Sequence, residues 1–206
     1  PSGAPRTLYG LGASPGLAVG KLVRHVSQRF EITDQPGDVV AEGEALEQAL
    51  IAVRVEREEL EGRTRQRLSA AEAAIFAAQR ELLADPVLVR EALATIMQGH
   101  GAAWAWQRAL RARIDKLQQV DDPLLAARAV DLRDVGERVL AQLLGIERQQ
   151  LTLTEPTILA AEDLTPSDTL HLDPRHVVGL ATSIGGPTSH TAILARTLGL
   201  PAIVAA

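Results

Sequence analysis

Residues 184–206 read Ile-Gly-Gly-Pro-Thr-Ser-His-Thr-Ala-Ile-Leu-Ala-Arg-Thr-Leu-Gly-Leu-Pro-Ala-Ile-Val-Ala-Ala, and their punctuation decides how the chain is organised. Gly185 and Gly186 form a permissive turn after an apolar run. Behind Pro187, Thr188 and Ser189 are residue types that cap helix N-termini with a side-chain oxygen. From His190 the apolar residues Ile193, Leu194 and Leu198 mark a short helix. Gly199 ends it at a left-handed position, and Leu200-Pro201 prevents its continuation. Ala202-Ile-Val-Ala then reads as a short buried strand. His190 therefore opens a helix behind a glycine-rich loop. There the unpaired backbone N–H groups and the positive dipole end favour an anion over an imidazolium. A neutral imidazole is a competent nucleophile, and a phosphoryl group attached to it would meet backbone donors. The plainer reading is a capping loop with an incidental surface histidine.

Upstream, Thr157-Ile-Leu-Ala-Ala is a short buried strand, followed by Glu162-Asp-Leu-Thr-Pro-Ser-Asp-Thr169. Asp163 or Thr165 starts a turn or cap there, with Pro166 in the first helical turn. Arg175-His-Val-Val-Gly-Leu-Ala-Thr is a second strand, feeding the glycine loop. Strand, helix, strand, loop, helix, strand is an α/β pattern. At the other end of the chain, glycines 10, 12, 16 and 20 give a loop and then a strand around Leu17–Val26, which joins the same sheet.

Between these parts the period changes. From about Gly37, Leu46, Leu50, Val53, Arg57 and Leu60 fall on one face of a long helix, and the charge run Arg54–Arg67 reads as its solvated face. Ser69-Ala-Ala-Glu72 is a capping box for a second helix, and Asp85-Pro86 opens a third. Gly99-His-Gly101 precedes a fourth, from Ala102 to about Val120. Asp121-Asp122-Pro123 starts a fifth, ended by Gly145. The result is a helical bundle with short connections. Residues 1–34 and 147–206 form one discontinuous α/β domain, and residues 35–146 form an all-α insertion within it.

The 206 residues are 46 % hydrophobic but only 2 % aromatic, so Leu, Val, Ile and Ala must build the core. A net charge of −5 with both signs interspersed offers no basic stripe, and few rings are present to stack bases, which argues against nucleic-acid binding. No apolar run reaches transmembrane length and no signal peptide is evident, so no membrane insertion is expected. The absence of cysteine excludes disulfides and thiolate metal sites and fits a cytoplasmic protein. The opening Pro-Ser-Gly-Ala-Pro reads as a linker. His25 is read as a strand residue of no special role, and His100, between two glycines, as structural punctuation rather than a ligand. His171 and His176 flank a turn, with no further ligand cluster, so no metal site is expected in this chain.

The string Gly-Gly-Pro-Thr-Ser-His-Thr-Ala-Ile-Leu-Ala-Arg resembles the phosphohistidine signature of the PEP-utilising enzymes, among them Enzyme I of the bacterial sugar phosphotransferase system, pyruvate phosphate dikinase and PEP synthase. Ala13-Ser-Pro-Gly-Leu-Ala-Val-Gly20 is similar to the opening of Enzyme I. Glu72-Ala-Ala-Ile-Phe76, Leu82-Leu-Ala-Asp-Pro86 and Arg128-Ala-Val-Asp-Leu-Arg-Asp-Val-Gly136 are similar to its helical subdomain. The resemblance covers nearly the whole chain. It implies a swivelling α/β phosphohistidine domain with an inserted helical domain that binds HPr, the small phosphocarrier protein.

By that resemblance His190 is the phosphate carrier, Thr169 hydrogen-bonds and orients it, and Arg196 contacts phosphate or a partner. Gly185, Gly186, Thr188 and Ser189 make the phosphate loop. Gln79, Leu82 and Arg128 are the implied HPr contacts, although the family often has a histidine where this chain has Gln79, and acidic residues where it has Ala70 and Ala71. The implied function is a relay in which phosphate originating from PEP passes through His190 to a histidine of HPr. No cofactor is expected in this chain, while PEP and Mg²⁺ belong to a separate C-terminal barrel domain. Fusion to further phosphotransferase modules would make it part of a multiphosphoryl transfer protein. Two alternatives are a mobile domain of a pyruvate dikinase or PEP synthase, and a non-catalytic docking module.

Overall fold

Parallel strand pairing determines the layout of the α/β part. Its sheet has the order β1-β5-β4-β3-β2, built from β1 (Leu11–Ser14), β2 (Lys21–Arg24), β3 (Thr157–Ala161), β4 (Val177–Thr182) and β5 (Ala202–Val204). The pairs β2–β3, β3–β4 and β4–β5 are parallel, and β1 runs antiparallel to β5. The computed structural model describes residues 7–26, 30–67, 70–120, 122–146, 153–169, 172, 175–187 and 189–206.

Parallel neighbours cannot be joined by a tight turn and need a crossover. Short helices supply two of these: α6 (Pro166–Thr169) between β3 and β4, and α7 (His190–Leu198) between β4 and β5. Between β2 and β3 the crossover holds α1 (Val39–Arg67), α2 (Ala70–Leu83), α3 (Pro86–Ile96), α4 (Ala102–Gln118) and α5 (Pro123–Leu143). The chain accordingly divides into two compact units, residues 1–28 with 150–206, and residues 29–149.

In the α/β unit, alternate residues of β3 and most of β4 are buried, and Leu159, Leu164, Val177, Leu180, Ala192, Ala195 and Val204 form one apolar core. The strand expected around Leu17–Val26 is present as the shorter β2, and β1 is an additional strand before it. Pro-Gly-Leu-Ala-Val-Gly separates them, and β1 and β2 lie at opposite margins of the sheet. Both are sheet-edge strands. Leu11 and Leu22 are exposed, so the alternation that marks a half-buried strand is weak in each.

The helical unit follows its punctuation closely. Asp38 Oδ1 accepts from the N–H groups of Val40 and Ala41 at the start of α1. Asp85 accepts from Val87 N–H, with Pro86 in the first turn of α3. Gly145, at φ 64°, ends α5. The proposed Ser69–Glu72 capping box and the Asp121 start signal involve residues outside the described ones. The core gathers Leu46, Val53, Leu83, Leu88, Ile96, Leu110, Ile114, Leu132 and Val139 around Trp106. The Trp106 indole N–H donates to the Gly136 carbonyl at 3.0 Å, joining α4 to α5. His100 holds a structural corner: its Nδ1 lies 2.6 Å from Asp34 Oδ2, and its ring stacks on Trp104. That bond, with the Gly101 N–H, holds the Asp34 carboxyl below its usual range.

The charge run on α1 is not wholly solvated. Arg57 is completely buried, as is Thr64, because α1 packs against α2 and α5 at once. A polar seam results. Glu56 Oε2 accepts from Arg138 Nε at 2.6 Å, Glu61 Oε2 from Arg80 Nη2 at 2.8 Å, and Asp134 Oδ2 from Gln79 Nε2 at 3.0 Å. Asp131, one turn before Asp134 on α5, is pushed up to a pKa of about 6, first by burial and then by the Asp134 charge.

A raised carboxyl pKa has a definite sign for stability. Below about pH 4 the group is protonated whether the chain is folded or not, and contributes nothing. Between about pH 4 and 6 the unfolded chain ionises while the folded chain holds its proton, so stability falls, and it levels off once the folded group ionises too. Asp131→Asn should remove that loss. Denaturant titrations should show the variant more stable by about 1–2 kcal/mol at pH 8, with the gain vanishing near pH 4.

Candidate active site

The site is assembled where the parallel strands end. β4 stops at Thr182, whose Oγ1 donates to the Ile184 carbonyl at 2.8 Å and turns the chain. Ser183 and Ile184 N–H groups donate to the Ala161 and Glu162 carbonyls, so the loop after β4 is bonded to the loop after β3. Gly185 then adopts φ 97°, which a side chain would strain. The Ser189 N–H donates to the Gly186 carbonyl at 2.9 Å and closes the turn.

Ser189 is the N-cap of α7, its hydroxyl accepting from Ala192 N–H at 3.3 Å. His190 is the first helical residue and is half-buried. At the far end Gly199, at φ 65°, sends its N–H back to the Arg196 carbonyl, while Leu200 N–H reaches Ala195, the left-handed ending the sequence predicts. The completely buried Thr191 lies with Oγ1 3.4 Å from Asp163 Oδ1 and 3.5 Å from the Leu164 carbonyl. This fixes the first turn of α7 against the loop leading to α6. The helix N-terminus thereby presents backbone donors and a positive dipole end where His190 stands.

Thr165 and Asp168 form a reciprocal capping box on the single turn of α6. Asp168 N–H donates to Thr165 Oγ1 at 3.2 Å, and Thr165 N–H and Oγ1 donate to Asp168 Oδ2 at 3.0 and 2.7 Å. Thr169 closes that turn. The Thr169 side chain, Thr188 and His171 lie outside the described residues. Among the described residues no cluster of three or more acidic or histidine side chains could hold a metal ion.

Arg196 has a role in the loop that the resemblance does not state. Its Nη1 donates to the Ala13 carbonyl and to the Pro187 carbonyl, each at 2.9 Å. It fastens the glycine loop to β1. One guanidinium nitrogen bonded to two carbonyls holds the loop's backbone, while the side chain stays exposed. Sequence periodicity had no means of showing this, because Ala13 lies 183 residues away.

The implied carrier contacts separate in the helical unit. Arg128 is exposed on α5 and Leu82 is partly buried at the core margin. Gln79 is completely buried and bonded to Asp134. It cannot touch a partner from there, and its role is to satisfy a buried carboxylate. Asp163, Asp168, Thr191 and His25 were not singled out for the site. The Thr-x-x-Asp spacing was the one available signal, and the other contacts are long-range.

The family model for the N-terminal region of PEP-utilising enzymes matches residues 9–128, and that for their mobile domain matches residues 153–206. The chain belongs to the PEP-utilising enzyme family. It is 47 % identical over its full length to a multiphosphoryl transfer protein of Xanthomonas campestris, of which it spans 25 %. It is 38 % identical over 97 % of its length to a phosphoenolpyruvate-protein phosphotransferase of Geobacillus stearothermophilus, of which it spans 35 %. A solution structure of Enzyme I matches 97 % of this chain over 82 % of its own, at 34 % identity and a TM-score of 0.73. No helix among the described residues is long and apolar enough to cross a membrane.

If Arg196 holds the loop, Arg196→Ala should loosen it without unfolding the helix. Amide exchange at Ser183, Ile184 and Ser189 should accelerate about tenfold, a loss of about 1.4 kcal/mol in local opening energy, with the helical unit unaffected.

Proposed function

We propose that this chain is the phosphoryl-relay part of a PEP-dependent phosphotransferase, with His190 as the residue that carries the phosphoryl group. A neutral imidazole nitrogen attacks phosphorus, and the donor's bond to phosphorus breaks in line as the P–N bond forms. The reverse displacement passes the group to a histidine of an HPr-like carrier. Little covalent chemistry is asked of the protein, so positioning and charge stabilisation do most of the work. The observation that carries the reading is the placement of His190 as the first residue of α7. It stands beside the Ser189 cap, behind a loop bonded to β1, β3 and α7 itself.

Thr169, the last residue of α6, is proposed to bond the second ring nitrogen of His190 and set its tautomer. Gly185, Gly186, Thr188 and Ser189 would offer donors to the phosphoryl oxygens. The helical unit would dock the carrier, with Arg128 and Leu82 at its contact. PEP and Mg²⁺ would bind a further domain, in the part of the relatives that this chain does not span. A cytoplasmic protein of the sugar phosphotransferase system is the setting that fits.

The test is incubation of the chain with phospho-HPr followed by mass spectrometry under alkaline conditions. Acid-labile phosphate should appear on His190, return to unlabelled HPr on chase, and be absent from His190→Ala. A folded wild-type chain that takes no label would overturn the relay reading and leave the dikinase-type mobile domain as its successor.

Arg128 and Gln79 should separate in the same assay. Arg128→Glu should raise the Kd for HPr about tenfold with no change in melting temperature. Gln79→Leu should instead lower stability by about 1–3 kcal/mol, the cost of leaving Asp134 without that donor, so that any loss of affinity comes together with a lower melting temperature.

A further inference from the structure

His25 follows β2 directly, and its N–H donates to the Ala160 carbonyl at 2.7 Å, extending the β2–β3 pairing by one residue. The side chain therefore leaves a backbone fixed to the sheet, at the same strand ends that carry the β3–α6 loop and the glycine loop. Its Nε2, buried and without a hydrogen bond, lies at an ion-pair distance of 3.3 Å from Asp168 Oδ1, and the two side chains are only 17 % and 5 % exposed.

Asp168 is thus addressed from two sides. Oδ2 closes the capping box with Thr165, which shapes the α6 turn internally. Oδ1 faces His25, which belongs to the sheet. The distinction matters because α6 has four residues. One turn of helix is marginal alone. The capping box fixes its shape but leaves its direction to outside anchors. Leu164, almost fully buried, and the Asp163–Thr191 contact hold the entrance to the turn. At its exit, adjacent to Thr169, the described anchor is the Asp168–His25 contact.

We infer that His25 is a positioning residue for the phosphoryl transfer: through the Asp168 carboxylate it sets the direction of the α6 turn, and so the aim of Thr169 at His190. This rests on the reading of Thr169 as the residue that orients His190. His25 itself touches no reacting atom. The contact is nearly buried, so solvent competes little for the carboxylate, and an Asp168 turned away from His25 would carry the next residue with it.

The experiment uses the full chain and two readouts. The first needs no phosphoryl donor: the ¹⁵N shifts of the His190 ring, followed through a pH titration, report its tautomer and midpoint. His25→Leu should move that midpoint by about half a pH unit, and His25→Gln, which keeps a donor at similar reach, should restore it. In a Thr169→Ala background His25→Leu should have no further effect, since the coupling runs through Thr169. The second readout is single-turnover transfer from phospho-HPr. His25→Leu should slow the first-order step about tenfold while the half-saturating HPr concentration stays the same.

An unchanged His190 titration in His25→Leu, or an equal shift with and without Thr169, would overturn the inference. Should His25→Leu fail to fold, His25→Asn, a polar side chain too short to reach Asp168 Oδ1, provides the same test without touching the capping box, with the same expected shifts. Failure of the wild type to accept phosphate would strike the relay reading alone, because the titration is independent of any donor.

Discussion

Parallel pairing of β2, β3, β4 and β5 is the constraint on which the α/β unit depends. Once four strands point the same way, their C-terminal ends share one side of the sheet, and the segments leaving them become neighbours. His25, the Glu162–Thr169 segment and the loop from Ser183 to Ser189 meet there for that reason alone. Each return path must be a crossover, which makes α6 and α7 obligatory and lets the β2–β3 connection grow into a separate unit without disturbing the sheet. The small residues Ala192 and Ala195 bring α7 close to the strands, so a core almost without aromatic rings still closes.

The same side of the sheet must then be held still. A helix N-terminus stabilises a phosphoryl group only if its donors point at the oxygens before the group arrives; otherwise part of the binding free energy goes into ordering the loop. Rigidity here comes from many modest bonds: Arg196 to two carbonyls, Thr182 to its own loop, Ser183 and Ile184 to the β3 exit, Ser189 to Ala192. Each contributes about 1 kcal/mol, but they restrain the same few residues, so their effects are coupled. A loop fixed this way can carry a histidine through a gain and loss of about two negative charges without rebuilding itself.

Features written in local sequence were legible. The cap, start and left-handed end of α7, the Asp85-Pro86 start of α3 and the Gly145 end of α5 each follow from a residue's own backbone preference. The α/β pattern with a helical insertion also follows, because the change of period from two to 3.6 is itself local. The failures share a different cause. β1 and β2 are short sheet-edge strands whose partners lie more than a hundred residues away, so neither has a clear alternation of its own. Arg57 falls on the apolar face by spacing but in the charge run by type, and only packing of α1 on two helices decides between the two. Arg196, His25 and Gln79 were misjudged or passed over because Ala13, Asp168 and Asp134 come near them only in the folded chain.

Helix α5 shows why motif matching alone misassigns Gln79. Arg128, Asp131 and Asp134 are spaced three apart, and each step turns about 60° short of a full circle around the helix axis. The stripe therefore rotates from exposed Arg128, through the partly buried Asp131, to buried Asp134. A residue bonded to Asp134 sits at the inner end of that stripe, while the proposed carrier would meet its outer end. Both ends ride on one helix, so damage at the inner end also displaces the outer one. Loss of Gln79 could then weaken a docking surface that Gln79 never touches. Affinity alone would not distinguish the two positions, whereas affinity measured together with stability does.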